Sequence, residues 1–146
     1  MKIDFEDLIR KARKEGTNRF STGILVVKNK KVLMLLRKED DFLPNVYELP
    51  GGKVEKDESL PEAIKRELFE ETSLEIKKII KFLGYFEYES EDKSKTRQFN
   101  FSVTVKKFDK IIHPEHQNFK FVELKDLDKI SMTAEMKKIV KEYLEN

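Results

Sequence analysis

The sequence contains no cysteine. That excludes a disulfide framework, thiolate metal sites and cysteine nucleophiles. It has only two histidines, His113 and His116, so one chain cannot build a three-histidine zinc centre from its side chains. No apolar run approaches the roughly 20 residues that a membrane-spanning helix needs. Net charge is nearly absent too, at +2 from 30 bases and 28 acids. No overall field therefore draws the chain to nucleic acid. Nor does a basic–aromatic ladder mark a groove for a long strand. Met1 to Glu15 alternates charged and apolar residues and lacks a signal-peptide core, so the cytoplasm is the expected location. Repeats, low-complexity tracts and Pro/Gly-rich linkers are missing as well.

What is present suits a globular fold. The 146 residues are 38% hydrophobic and 40% charged, with the apolar ones patterned. One domain over 1–146 with a real core is expected. Phe5, Leu8, Ile9 and Ala12 have helical spacing within 4–15. Ser21–Val27 and Val32–Leu36 read as a hairpin around Lys28–Lys31. Val46–Leu49 reads as a short strand ending at a Pro50-Gly51-Gly52 turn. A helix capped by Ser59 follows, with Glu62 as the capping-box partner and Pro61 in the first turn, running to about Thr72. Ile76–Glu89, Thr96–Lys106 and Phe119–Val122 read as strands. In the second, Phe99, Phe101, Val103 and Val105 alternate with Gln98, Asn100, Ser102 and Thr104. Met132–Leu144 reads as a final helix. A mixed sheet between helices is the natural α/β arrangement.

One segment asks for more than folding. Glu55 to Glu75 holds eight acids against three bases. At about 100° per residue, Glu67, Glu70 and Glu71 fall within about 100° of one another. They border the apolar stripe of Leu60, Ile64 and Leu68, which turns them toward the body of the protein. Glu67 and Glu71 form a like-charged i,i+4 pair, and all three sit where the helix dipole disfavours anions. Such a cluster calls for a cation. All-oxygen ligands select Mg²⁺, with Mn²⁺ as substitute. An ion here would screen a polyphosphate and acidify an attacking water. Gly51-Gly52 lets the backbone approach a ligand, and a carbonyl there can join the metal shell. Glu58 and Arg66 read as clamps on loop and helix. The plain alternative is a solvated acidic face after an ordinary turn.

Residues 52–74 resemble the signature box of the Nudix hydrolases, G-x5-E-x7-R-E-U-x-E-E-x-G-U, where U is bulky and aliphatic. Gly52, Glu58, Arg66, Glu67, Leu68, Glu70, Glu71 and Leu74 match at the required spacing. Ser73 stands where the pattern has its last glycine, which bears on the helix exit. The resemblance implies an α/β/α sandwich with a mixed, partly curled sheet. It implies Mg²⁺ held by Glu67, Glu70, Glu71 and the Gly51 carbonyl, and a later acid, taken as Glu115, acting as base. Arg37, Lys53, Phe42 and His116 are the candidate substrate contacts, with Tyr47, Phe86 and Phe101 as further stacking candidates and Arg97 and Gln98 as polar ones.

The implied activity is hydrolysis of a nucleoside diphosphate linked to a further group. The leading substrate is a nucleoside triphosphate, oxidised ones included, cut to the monophosphate and pyrophosphate. The alternatives are a dinucleoside polyphosphate or an RNA 5′ end, and, from another class, a non-catalytic nucleotide-binding module. A small-molecule nucleotide is the expected partner of a monomer or homodimer, with no membrane and no long nucleic acid.

Overall fold

The computed structural model describes residues 2–40, 44–108, 111 and 116–146. The elements run α1 (Phe5–Lys14), β1 (Phe20–Lys28), β2 (Lys31–Arg37), β3 (Tyr47–Glu48) and β4 (Gly51–Lys53). They continue α2 (Leu60–Thr72), β5 (Ile76–Glu89), β6 (Lys95–Val105) and β7 (His116–Val122). A short 3-10 helix, Leu124–Lys129, then leads to α3 (Ala134–Glu145). Among the described residues no helix is long and apolar enough to cross a membrane.

The sheet is mixed and open. Its strand order is β3-β2-β1-β6-β5, with β4 added beside β1 and β7 beside β2. β1 and β6 run parallel, whereas the other pairs are antiparallel. β1 is where the sheet bends. Its first half pairs with β4, from Ser21 opposite Lys53 to Gly23 opposite Gly51. Its end pairs instead with β2 through Val27 and Lys28. Asn29 and Lys30 close that hairpin, both at positive φ, as a two-residue turn between twisted strands requires.

Helices cover both faces. On one side Ala12 of α1 and Leu60, Ile64 and Leu68 of α2 pack on Phe20, Ile24, Val26, Phe99 and Phe101. On the other, Met136 and Val140 of α3 join Leu25, Val32, Met34 and Val122. This is the α/β/α sandwich expected from the sequence.

Three local readings are corrected. Gly51-Gly52 is not a free turn but opens β4. α3 starts at Ala134 rather than Met132, because the Thr133 hydroxyl caps it by accepting from Met136 N–H. β7 begins at His116, upstream of Phe119, because pairing with β2 extends to Arg37. The polar side of β6 is covered as well, with Gln98, Asn100 and Ser102 buried.

β5 shows how bulges shape a strand. Its register against β6 slips three times, between Ile76 and Lys78, Ile79 and Lys81, and Phe82 and Tyr85. Each slip adds one residue, so the core-facing side chains Ile76, Ile79 and Phe82 recur every three positions instead of every two.

Candidate active site

α2 is set by its own first turn. Ser59 Oγ accepts from Glu62 N–H at 3.2 Å, and Glu62 returns the bond by accepting from Ser59 N–H at 2.9 Å. The helix then buries Leu60, Ala63, Ile64 and Leu68 against the sheet. That docking fixes where its acids stand. At its end Ser73 adopts φ 65°, the left-handed conformation the expected glycine would have supplied.

Arg66 ties this helix to the loop before it. Its Nε and Nη2 grip both oxygens of Glu58, and Nη2 also donates to the Lys53 carbonyl at 3.0 Å. Nη1 donates to Glu67 at 2.7 Å and to Glu70 at 3.3 Å. The Glu58 bonds, followed by Glu67, raise the guanidinium pKa above its ordinary value. The Arg66 hydrogen bonds hold the Glu58 carboxyl below its usual range despite partial burial, with help from the Glu55 N–H. Glu58 and Arg66 thus join the loop after β4 to α2.

The two glycines answer to α2 and β1. A Cβ at Gly51, where φ is +153°, would land on the Thr22 carbonyl. A Cβ at Gly52 would land on the Glu67 carboxylate. Glycine here therefore secures close approach between strand, strand and helix. Gly51 N–H donates to Glu71 Oε1 at 2.7 Å.

These residues floor a cleft of about 680 Å³. Gly51, Gly52, Glu67 and Glu71 line it together. Glu71 is only 6% exposed. Glu70 is not among the lining residues, and its side chain is 57% exposed. That corrects the expectation that all three acids turn inward. On the helix Glu70 falls between Glu67 and Arg66, so the guanidinium draws it to the outer edge. Among the described residues no three acids or histidines converge on one point.

The donors that do face the cleft are oxygen, held close to a glycine backbone. That chemistry fits a hard divalent cation, Mg²⁺ or Mn²⁺.

Of the expected substrate contacts, Arg37 lines the cleft and pairs with Glu48 at 2.9 Å. Lys53 also lines it, from the end of β4. The His116 backbone lies opposite Arg37 in the sheet. Phe42 and Glu115 lie outside the described residues. Phe101 is fully buried in the core and offers no stacking face. Phe86 packs against the second core, as does Tyr47. Arg97 is buried and held by Glu87 and Glu15, away from the cleft. The aromatic residue that does line the cleft is Tyr88, which the sequence reading passed over. Its signal was its position two residues after Phe86, on the same side of β5.

A model of the NUDIX domain matches residues 17–143. The chain belongs to the Nudix family. The same fold recurs in a MutT protein from Methanosarcina mazei, with a TM-score of 0.76 and 25% identity, covering 90% of this Nudix chain and 95% of that one. A protein of Methanocaldococcus jannaschii named ADP-ribose pyrophosphatase is 31% identical over 121 residues, 82% of this chain and 69% of its own length. An 8-oxo-dGTP diphosphatase of Buchnera aphidicola is 47% identical over 47 residues, 32% of this chain. The matched stretch spans 37% of the Buchnera protein's length.

Proposed function

We propose that this Nudix protein hydrolyses the diphosphate linkage of a nucleoside triphosphate, oxidised bases included, to the nucleoside monophosphate and pyrophosphate. The observation that carries the reading is the pair Glu67 and Glu71, facing a nucleotide-sized cleft over Gly51-Gly52, with Arg66 and Glu58 locking the helix behind them. The Buchnera relative named 8-oxo-dGTP diphosphatase supports the triphosphate as substrate.

Glu67, Glu71 and the Gly51 carbonyl would hold a magnesium ion, with Glu70 joining them from the outer edge of the helix. When bound, that ion neutralises polyphosphate charge and makes a nearby water more acidic. Arg37 and Lys53 bring positive charge to the cleft wall for the phosphates. The Gly51 N–H bond keeps the Glu71 carboxylate from swinging away. Water attacks phosphorus directly: its oxygen forms a new P–O bond and the P–O bond to the oxygen bridging the α and β phosphates breaks. The group on the far side of that oxygen leaves, pyrophosphate for attack at the α-phosphorus and the monophosphate for attack at the β-phosphorus. The proton passes to a carboxylate, assigned to Glu115, with Glu67 next in line because it faces the cleft. The motif suggests no nucleophilic side chain, so no covalent enzyme intermediate is expected.

Hydrolysis in ¹⁸O-labelled water tests the reaction. Label in one phosphate product identifies the attacked phosphorus and supports water attack. A trapped phosphoryl-enzyme, or label in neither product, overturns it. If Glu115→Gln keeps full kcat from about pH 6 to 9, the base is elsewhere, and Glu67 is the first replacement to test.

A second reading has its own support. The M. jannaschii relative aligns over most of this chain and carries the name ADP-ribose pyrophosphatase. A nucleoside diphosphate sugar presents the same linkage to the same acids. A panel of nucleoside triphosphates, ADP-ribose, nucleotide sugars and dinucleoside polyphosphates, run with Mg²⁺, decides between them by the highest kcat/KM.

A further inference from the structure

The far wall of the cleft holds a polar side chain where an apolar one would pack more simply. Gln98 lines the cleft yet is only 9% exposed. Its Nε2 donates to Asn100 Oδ1 at 2.8 Å, and Asn100 Nδ2 donates in turn to the Gly84 carbonyl at 3.2 Å. That last acceptor fixes the polarity of the whole chain. A backbone carbonyl can only accept, so Asn100 must turn its NH₂ toward Gly84 and its oxygen toward Gln98. Gln98 must then spend its NH₂ on Asn100. Its Oε1 accepts no hydrogen bond among the described residues. The oxygen is not fully buried: it keeps access to the cleft, where a donor on a ligand can reach it.

The fold makes room for this arrangement at two places. Gly84 lies at the bulge between Phe82 and Tyr85 with φ +93°, beside the register slip opposite Asn100. Gly23 of β1 pairs with Asn100, and a Cβ there would collide with both amide groups. Next to Gln98 stands Tyr88, 36% exposed at the cleft wall. Its hydroxyl donates to Ser21 Oγ at 3.2 Å, which holds the ring in place. Ser21 pairs with Lys53 on one side and Gln98 on the other. The amide thus stands two strands away from the glycine backbone, about 10 Å at normal strand spacing.

We propose that Gln98 is a specificity-determining residue of the cleft: its Oε1 accepts a hydrogen bond from an N–H of the nucleobase, whose ring lies against Tyr88. The assignment rests on the nucleotide reading above and adds to it which end of the nucleotide lies on this wall and what it must offer there. Asn100 is a positioning residue that acts through Gln98. A base edge that presents only acceptors to Gln98 leaves its oxygen unpaired and is bound more weakly.

The test compares nucleotides that differ in one base donor: ATP with purine riboside triphosphate, GTP with ITP, GTP with N1-methyl-GTP, and UTP with N3-methyl-UTP. ATP against dATP serves as the ribose arm. The native chain is expected to favour one donor-bearing base by about tenfold or more in KM. Gln98→Leu should bring that ratio to within about threefold. A ratio unchanged in the variant overturns the assignment, and so does a change confined to the ribose arm. Should Gln98→Leu fail to fold, Gln98→Met keeps the volume and serves in its place. Titration with nucleoside monophosphates, followed by the side-chain amide resonances of Gln98 and Asn100, gives a readout that needs no turnover. Shifts with the donor-bearing monophosphate but not with its analogue support the assignment, and no shift with any of them overturns it. If no nucleotide is hydrolysed but the shifts appear, the hydrolase reading falls while this one stands.

Discussion

Arg66 grips Glu58 with two hydrogen bonds, Nε to one carboxylate oxygen at 2.6 Å and Nη2 to the other at 2.8 Å. The pair joins the loop after β4 to the middle of α2. A lysine keeps the charge but cannot form the fork. Arg66→Lys is expected to cost about 2 kcal/mol, a fall of about 5 °C in Tm for a chain of this size. It should also lower turnover, because Glu67 loses its neighbour. Thermal unfolding checks the first part, and an unchanged Tm would show that the clamp carries no stability.

The adjacent glycines should fail in different ways. Gly51→Ala drives a Cβ into the Thr22 backbone at a φ that alanine avoids, so it should destabilise the fold. Gly52→Ala meets only the tip of the Glu67 side chain, which can swing aside. That variant should melt close to the parent yet lose most activity. Melting curves and rates on both variants separate the two cases. Equal losses of stability would contradict the distinction.

Ser73 holds φ 65° with its N–H bonded to the Phe69 carbonyl. Ser73→Gly removes the strain of a left-handed residue and keeps that bond. A gain of about 1 kcal/mol, or roughly 3 °C in Tm, is expected. A clear drop in Tm would mean that the serine hydroxyl makes a bond the fold needs.

Much of this was legible in the residues. The capping box, the limits of α2 and the departure at Ser73 all follow from local chemistry, which acts within a few residues. The outward turn of Glu70 was not, because helical geometry allows either edge and only the contact with Arg66 decides. Gly51-Gly52 reads as a turn since glycines allow one. Their role comes from Thr22 and Glu67, close only after β1 and α2 have packed. The alternation in β6 correctly divides its two faces. Burial of the polar face depends on Gly23 and on the bulge at Gly84, which lie far away in sequence. Tyr88 joins the cleft for the same reason.

Stability should have an acid limb set outside the cleft. Arg97 donates to Glu87, with Lys95 and Thr17 adding bonds, and the Glu87 pKa falls from 4.5 to about 2. A carboxyl lowered on folding stabilises the protein fully above its unfolded value. That contribution is lost as pH drops from 4.5 toward about 2. Glu87→Gln should flatten the decline in Tm across that window. An identical decline in the variant would place the acid sensitivity elsewhere.

The central claim is that the acids of α2 turn over a nucleotide in the cleft above Gly51-Gly52. The most direct measurement is Mg²⁺-dependent hydrolysis of nucleoside triphosphates by the native chain, Glu71→Gln and Glu70→Gln, with melting curves on all three. The account predicts that activity requires Mg²⁺, with Mn²⁺ as substitute. It predicts that both variants fold normally and lose about a hundredfold or more in kcat. Near-native rates in Glu71→Gln at saturating Mg²⁺ would contradict it.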